Sequence, residues 1–365
     1  MLLSQGDSRV RRALLPFLIL VVGVGLVVSM FQGSIAMRVM RSAIERNIAA
    51  DSLESFPDGL HVVLCGAGGM LPDPTRAAAC LAIIAGERIY LVDAGSSAAR
   101  SLAAQGIQPV RIEAVFLTHF HSDHIDGLGE LSVLRWAGGS STTPLPVYAA
   151  EGIAQITAGL NQVYRLDAVY RTSHHGPEVM PPSGSGLAPR SFSEPAPGSS
   201  TIVFDEGGLR VSAFRVDHSP VKPAVGYRFD YKGRSLVVSG DTSKSANLER
   251  FATGVDLLIH EALSPTLMKL IGEVAEKAGN HSMEQIAGDV LTYHASPVEA
   301  AETAQSVGAK HLLYYHIVPP LPIPGLASVF LEGVSDAYGG RVTLGRDGTT
   351  ISLPSGSDLV LVVSE

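Results

Sequence analysis

Thr118-His119-Phe120-His121-Ser122-Asp123-His124 follows without a break on the apolar run Ile112 to Leu117. The run reads as a buried strand, so the histidines and the aspartate stand where a strand ends. Extended spacing puts His119 and His121 on one side, and a turn brings Asp123 and His124 round to a second position. One histidine there would more often be a satisfied core or surface residue. Four ligand-type residues at this spacing read instead as metal donors, and mixed imidazole and carboxylate suits zinc, with manganese or iron as substitutes.

Around the cluster the pattern is one of short apolar runs broken by glycine and proline. His61 to Cys65, Cys80 to Ile84 and Arg88 to Asp93 read as strands, and Ser97 to Gln105 as a short helix. The Pro-, Gly- and Ser-rich stretch from about Thr172 to Ser200 is expected as a long surface excursion or lid. Strands resume at Leu209 to Asp217, Ala224 to Tyr231, Arg234 to Ser239, Asp256 to His260 and Lys310 to His316, with a helix from Pro297 to Val307. Arg341 to Leu353 is expected as a terminal hairpin turning at Asp347-Gly348. Strands interleaved with helices in this order predict an α/β (α+β) protein of two sheets with helices outside.

The chain of 365 residues is 46% hydrophobic and 17% charged, which excludes disorder as the main state. A formal net charge of −8 offers no basic footprint for a long phosphate backbone and argues against a nucleic-acid scaffold. Two cysteines, Cys65 and Cys80, cannot build a disulfide framework; a single disulfide between neighbouring strands and two buried thiols both stay open. Ala13 to Phe31 carries no charge and follows Arg9, Arg11 and Arg12. As a helix it reaches roughly 28 Å, nearly a bilayer, so residues 1–50 are expected as an uncleaved membrane anchor and linker, with a signal segment as the alternative. The expected location is the cell envelope, inner-membrane anchored or exported, with the globular part outside the cytoplasm. Residues 55–356 are expected as one hydrolase domain.

The histidine cluster resembles the His-x-His-x-Asp-His motif of the metallo-β-lactamase superfamily, matched at His119, His121, Asp123 and His124, and the resemblance covers about residues 60 to 350. It implies a four-layer αββα sandwich with metals at one edge between the sheets. Val216-Asp217-His218-Ser219-Pro220, followed by Gly226-Tyr227-Arg228, is similar to a motif of the ribonuclease Z-like branch and makes His218 a ligand. Ser239-Gly240-Asp241-Thr242 is similar to the segment whose aspartate bridges two metals, and Tyr315-His316-Ile317 to the one with the last ligand. The resemblance thus implies two zinc ions, with Mn2+ or Fe2+ as substitutes. His119, His121 and His218 would hold one, Asp123, His124 and His316 the other, and Asp241 would bridge, because two close dications need anionic charge between them.

The branch is narrowed by further segments. No cysteine lies after position 80, against a lactam-hydrolysing member. Tyr293-His294-Ala295-Ser296 resembles the His-Ser-Thr motif of the ribonuclease Z-like branch, whose histidine serves the scissile group. Leu258-Ile259-His260-Glu261-Ala262 resembles its His-Glu-Ala-Thr segment, with Leu263 in place of threonine, and adds Glu261 to the catalytic candidates. Leu64 to Gly69, with Pro72 and Arg76, resembles the glycine-rich loop bordering the active site. Asp93 is similar to the family's aspartate just behind the metals, a plain turn residue being the competing view.

The implied activity is hydrolysis of a phosphodiester through a metal-bridged hydroxide, with Asp123 orienting the nucleophile and His294 serving the oxyanion or the leaving oxygen. The run Val216 to Phe229 also resembles exported arylsulfatases of the branch, so a sulfate ester is the alternative substrate. A non-catalytic envelope metal-binding domain would show a lost ligand, and none is lost. The interval between His218 and Asp241 is too short for the long arm with which tRNA-processing members clasp their substrate. Together with the apparent anchor and the negative charge, this sets the expectation that the substrate is a small phosphate or sulfate ester and that tRNA is not a partner; a homodimer stays open.

Overall fold

The computed structural model describes residues 29–45, 53 and 56–364, together with Phe17 and Gly23. Contacts divide the chain into two units, Met1–Ser52 and Leu53–Glu365. In the first, residues 29–45 are helical, with Arg38, Arg41 and Glu45 exposed. Most of the apolar stretch that carried the anchor expectation lies outside the described residues. Among the described residues no helix is long and apolar enough to cross a membrane. The described stretch 29–45 is not itself a span, since each charged group at a bilayer centre costs about 2.5–3.5 kcal/mol and it carries three.

The second unit is built from β1 (Gly59–Gly66), β2 (Cys80–Ala85), β3 (Arg88–Val92), β4 (Ile112–Phe116), β5 (Leu145–Ala150), β6 (Leu187–Phe192), β7 (Ser200–Glu206), β8 (Leu209–Arg215), β9 (Val225–Tyr231), β10 (Arg234–Val238), β11 (Leu257–Leu263), β12 (His311–Val318), β13 (Arg341–Leu344), β14 (Thr350–Pro354) and β15 (Leu361–Ser364). One sheet has the order β15-β14-β1-β2-β3-β4-β5-β6, the other β13-β12-β11-β10-β9-β8-β7.

The period-2 alternation of buried strands sets the layers. Leu60, Val62 and Leu64 of β1 join Leu236 and Val238 of β10 and Leu257 and Ile259 of β11 in the core between the sheets. Their neighbours Val63 and Cys65 face the other way, onto the helices Ala98–Ala104 and Leu128–Gly139. Val237 and Leu258 likewise face the helices Ala246–Ala252 and Pro297–Val307. Strands buried on both faces read as near-continuous apolar runs. Each fully buried leucine, isoleucine or valine contributes about 1.5–3 kcal/mol. The helix Pro297–Val307 has the expected bounds, because Ser296 and Glu299 form a capping box and Gly308 ends it with φ 65°.

Two regions differ from the sequence-based expectation. The stretch 172–200 is not a lid. It continues the helix Ile153–His175, then supplies β6, parallel to β5 at one sheet edge, before the chain crosses to β7 at the edge of the other sheet. Edge strands face water, so Pro189, Arg190 and Ser191 are exposed and no apolar run marks them. The terminal segment is not a hairpin either: β13 pairs with β12 in the second sheet and β14 with β1 in the first. Cys65 and Cys80, on adjacent strands, form a disulfide.

Candidate functional site

The ends of β4, β8, β10, β11 and β12 converge at one edge of the sandwich. Thr118 lies two residues past β4, and after His121, extended at φ −63° and ψ 150°, the short helix Ser122–Ile125 begins. Donor atoms of His119, His121, His218 and Asp241 lie within 4.8 Å of one another, as do those of Asp123, His124 and His316. In the first group His121 Nδ1 is 2.9 Å from His119 Nε2 and 3.4 Å from His218 Nε2. In the second, Asp123 Oδ2 is 3.1 Å from His316 Nε2 and 3.7 Å from His124 Nε2. Asp241 Oδ2 stands between the groups, 3.8 Å from His119 Nε2, 4.0 Å from His218 Nε2, 3.4 Å from His124 Nε2 and 3.3 Å from His316 Nε2.

Two donors on a tetrahedral divalent ion, each at about 2.0–2.1 Å, are roughly 3.3 Å apart. The observed separations fit such a centre. A second sign is that His124 Nε2 and Asp241 Oδ1 are buried without hydrogen-bond partners. Each such orphan costs about 1–3 kcal/mol, which a cation would relieve.

Behind the donors a hydrogen-bonded layer selects which ring nitrogen faces inward. Asp93 Oδ2 accepts from His124 Nδ1 at 2.8 Å, and Oδ1 from the Thr118 N–H at 2.8 Å. His218 Nδ1 donates to the Tyr293 carbonyl at 2.9 Å. Asp93 and His316 both adopt positive φ, 59° and 44°, a conformation costly for residues with a Cβ; Asp93 directly follows β3, and His316 is the bulged residue of β12 that its pairing with β11 skips. Gly69 lies against the His316 ring, which a Cβ there would meet at 3.0 Å.

The electrostatics favour a cation. Burial opposes charge on Asp241, yet His316, His124 and His119 hold its carboxyl well below the usual range. Burial likewise works against Asp123, but its bond from His316 and the charge of His124 bring it to about 2. Burial also opposes protonation of His124 and His316; Asp241 and Asp93 raise the first well above the usual imidazole value, and Asp241 and Asp123 raise the second to about 9. Burial, with the neighbouring His124, holds His119 well below it.

His294 comes within 4.8 Å of Asp241 and His316, but its Nδ1 is engaged by Glu261 Oε1 at 2.9 Å. Glu261 is wholly buried, and Oε1 also accepts from the Thr242 N–H at 3.0 Å and the Ala295 N–H at 3.3 Å. It therefore meets the site through His294. Burial disfavours protonated His294, but Glu261 outweighs this and raises its pKa. Asp347, expected as a hairpin turn, instead accepts from the Ala67 and Ala77 N–H groups at 3.0 and 2.7 Å and ties down the glycine-rich loop. Asp-Gly is also a common turn signal, so no local pattern marked this role. Arg76 pairs with Asp73. His61 and His311 are buried structural residues, bonded to Ser352 and Thr343. His174 and His175 end a helix remote in sequence from the donors.

A cavity of about 350 Å³ opens on the centre, lined by His121, Asp123, Asp241, His294 and His316 and also by apolar side chains from the helices Pro265–Lys277 and His281–Asp289. The sequence reading missed this apolar side.

The family described as beta-lactamase superfamily domain matches residues 88–317. Ribonuclease Z of Mycolicibacterium paratuberculosis is 32% identical over 79% of this chain and 96% of its own, and ribonuclease Z of Mycobacterium bovis 31% over the same shares. In fold the chain is similar to the short form of human tRNase Z, with a TM-score of 0.57, 23% identity and coverage of 80% of this chain and 99% of that one. The metallo-β-lactamase fold protein YhfI from Bacillus subtilis gives a TM-score of 0.57 at 20% identity, over 80% and 99% of the two chains.

These relatives overturn two expectations. The exclusion of tRNA does not hold: ribonucleases Z are matched over 96% of their length, so a short interval between His218 and Asp241 does not mark a missing portion. Net charge, moreover, does not describe how charge is spread around one cleft. The envelope location does not hold either, since the relatives matched over most of their length are ribonucleases Z. The sulfate-ester alternative gains no support from them. Family match, relatives and fold agree with the donor geometry, and the chain belongs to the metallo-β-lactamase superfamily, in its ribonuclease Z-like branch, whose fold implies binding of divalent metal.

Proposed function

We propose that this chain is a dinuclear zinc phosphodiesterase acting on RNA, with precursor tRNA as its macromolecular substrate. The observation that carries the reading is Asp241 Oδ2, within 3.3–4.0 Å of four imidazole nitrogens drawn from both donor groups. His119, His121 and His218 would hold one ion, Asp123, His124 and His316 the other, with Asp241 between them. Two divalent ions supply Lewis acidity and make water a nucleophile at neutral pH. Asp123, which lines the cavity, orients the attacking water by accepting its proton in a hydrogen bond. His294 donates Nδ1–H to Glu261, leaving Nε2 to carry a proton towards the leaving oxygen. Glu261 is a positioning residue that holds this ring orientation and favours its charged form. The ribonuclease Z relatives support RNA as the polymer cleaved.

The test combines metal analysis with hydrolysis of bis-p-nitrophenyl phosphate, p-nitrophenyl sulfate and a precursor tRNA transcript. The expected result is two ions per chain, cleavage of both phosphodiesters and loss of activity on chelation. One ion at full activity refutes the dinuclear centre; inertness towards both phosphodiesters refutes the phosphodiesterase.

A further inference from the structure

The cavity at the metal centre is chemically two-sided. Besides the donors, its polar lining consists of Ser122, Tyr293 and His294, and among the described residues that line it none is lysine or arginine. The rest is apolar. Leu263, Met268 and Val318 form a buried cluster with Ala287, against which Leu71 and Val290 pack, so this side is a built surface held by the strand ends and two helices. It continues outward through Met283 to Ile286, 51% exposed, and Met70, 77% exposed. Large apolar side chains grouped at the mouth of a polar site mark a binding surface, because left in water they stabilise nothing.

We infer that this apolar wall, formed by Leu71, Leu263, Met268, Met283, Ile286 and Val290, binds an uncharged apolar group attached to the scissile phosphate, so that the substrate class is a diester bearing a nucleobase, aryl or alkyl substituent. The inference rests on the phosphodiesterase reading and adds what stands beside the reacting bond. Donors fix the phosphate at one side of a cavity of about 350 Å³, and the remaining space is bounded by methionine, leucine, isoleucine and valine. Methionine suits a wall meeting substituents of different shapes, since its unbranched thioether adapts. Neither lysine nor arginine lines the cavity, and its cation-prone histidine, His294, is turned to Glu261, so apolar area on the substituent is what this side rewards.

The experiment titrates zinc-loaded full-length protein with n-alkyl phosphonates from methyl to octyl by calorimetry. Affinity should rise about fourfold per methylene until the wall is covered, the equivalent of about 0.8 kcal/mol per group. In Met283→Gln and Ile286→Asn, made separately so that one misfolded variant does not decide the outcome, the dependence on chain length should flatten relative to wild type. Thymidine 5′-phosphate against deoxyribose 5-phosphate shows whether a base draws on the same wall; a gain for either the base or the chain supports it. Affinities independent of both, or a chain-length dependence unchanged in both variants, overturn the wall. Hydrolysis of methyl and octyl p-nitrophenyl phosphate, which share a leaving group, is measured alongside. Inertness towards both would overturn the phosphodiesterase, while the binding series still decides the wall.

Discussion

Asp93→Asn is the most informative single change, because it separates metal binding from folding. Asp93 is fully buried and accepts from His124 Nδ1 at 2.8 Å, Thr118 N at 2.8 Å and Thr118 Oγ1 at 2.9 Å. Asparagine is nearly isosteric and tolerates the left-handed φ of 59° found there. Its amide, however, has one acceptor and one donor end. If oxygen faces the Thr118 N–H, the NH2 group faces His124 Nδ1 and forces that nitrogen to accept; Nε2 then carries the hydrogen and cannot bind a cation. With the amide flipped, two donors meet at Thr118. Loss of such a supporting partner costs about 10–100-fold in metal affinity, or about 1.4–2.8 kcal/mol. Asp93→Ala acts differently: it strands the His124 Nδ1–H and Thr118 N–H donors at about 1–3 kcal/mol each, the Thr118 hydroxyl keeping His119 as a partner, and places a Cβ residue without local hydrogen bonding in the left-handed region. Zinc affinity by chelator competition and urea unfolding of the metal-free protein read the two effects separately. Asparagine should weaken zinc at little cost in stability, and alanine should lower stability more. Wild-type zinc affinity in the asparagine variant would refute the assignment of Asp93 as the group that sets the His124 tautomer.

Other expected outcomes follow from the same geometry. Asp241→Ala should reduce metal content at both donor groups, checked by mass spectrometry of the native protein, since its Oδ2 lies within 4.0 Å of nitrogens from each. His294→Ala should lower kcat by about 10²–10⁴-fold while metal content stays unchanged, and the loss should shrink for p-nitrophenolate leaving groups if proton donation is its role. Burial, aided by Arg341, holds His311 at about 4. A histidine kept neutral by folding leaves the unfolded chain to take up the proton first, so its contribution is complete above pH 6.5 and lost as pH falls towards 4, about 3 kcal/mol by pH 4. Urea unfolding at pH 7 and pH 4 should show a smaller difference in His311→Gln than in wild type.

Much of the site was legible because its chemistry is written locally. A buried strand running into His119-Phe-His-Ser-Asp-His124 carries the donor types in one short stretch, and doubly buried strands announce themselves as apolar runs such as His61 to Cys65. The exposed edge strand β6 carries no such run and that of β7 is only Ile202 to Phe204, and Arg341 to Leu353 has the pattern of two strands without any sign that they join different sheets. Residue type, spacing and periodicity by themselves marked the His119–His124 cluster, two sheets with helices outside and the helix between Ser296 and Gly308, since these signals act over a few positions, whereas His218, Asp241, His316 and the αββα layering came from the resemblance of longer motifs. Tertiary structure alone decided that Glu261 works from behind His294, that Asp93 turns to His124 through a left-handed backbone, and that an apolar wall faces the donors. Those facts depend on distances between residues far apart in the chain, which no local pattern encodes.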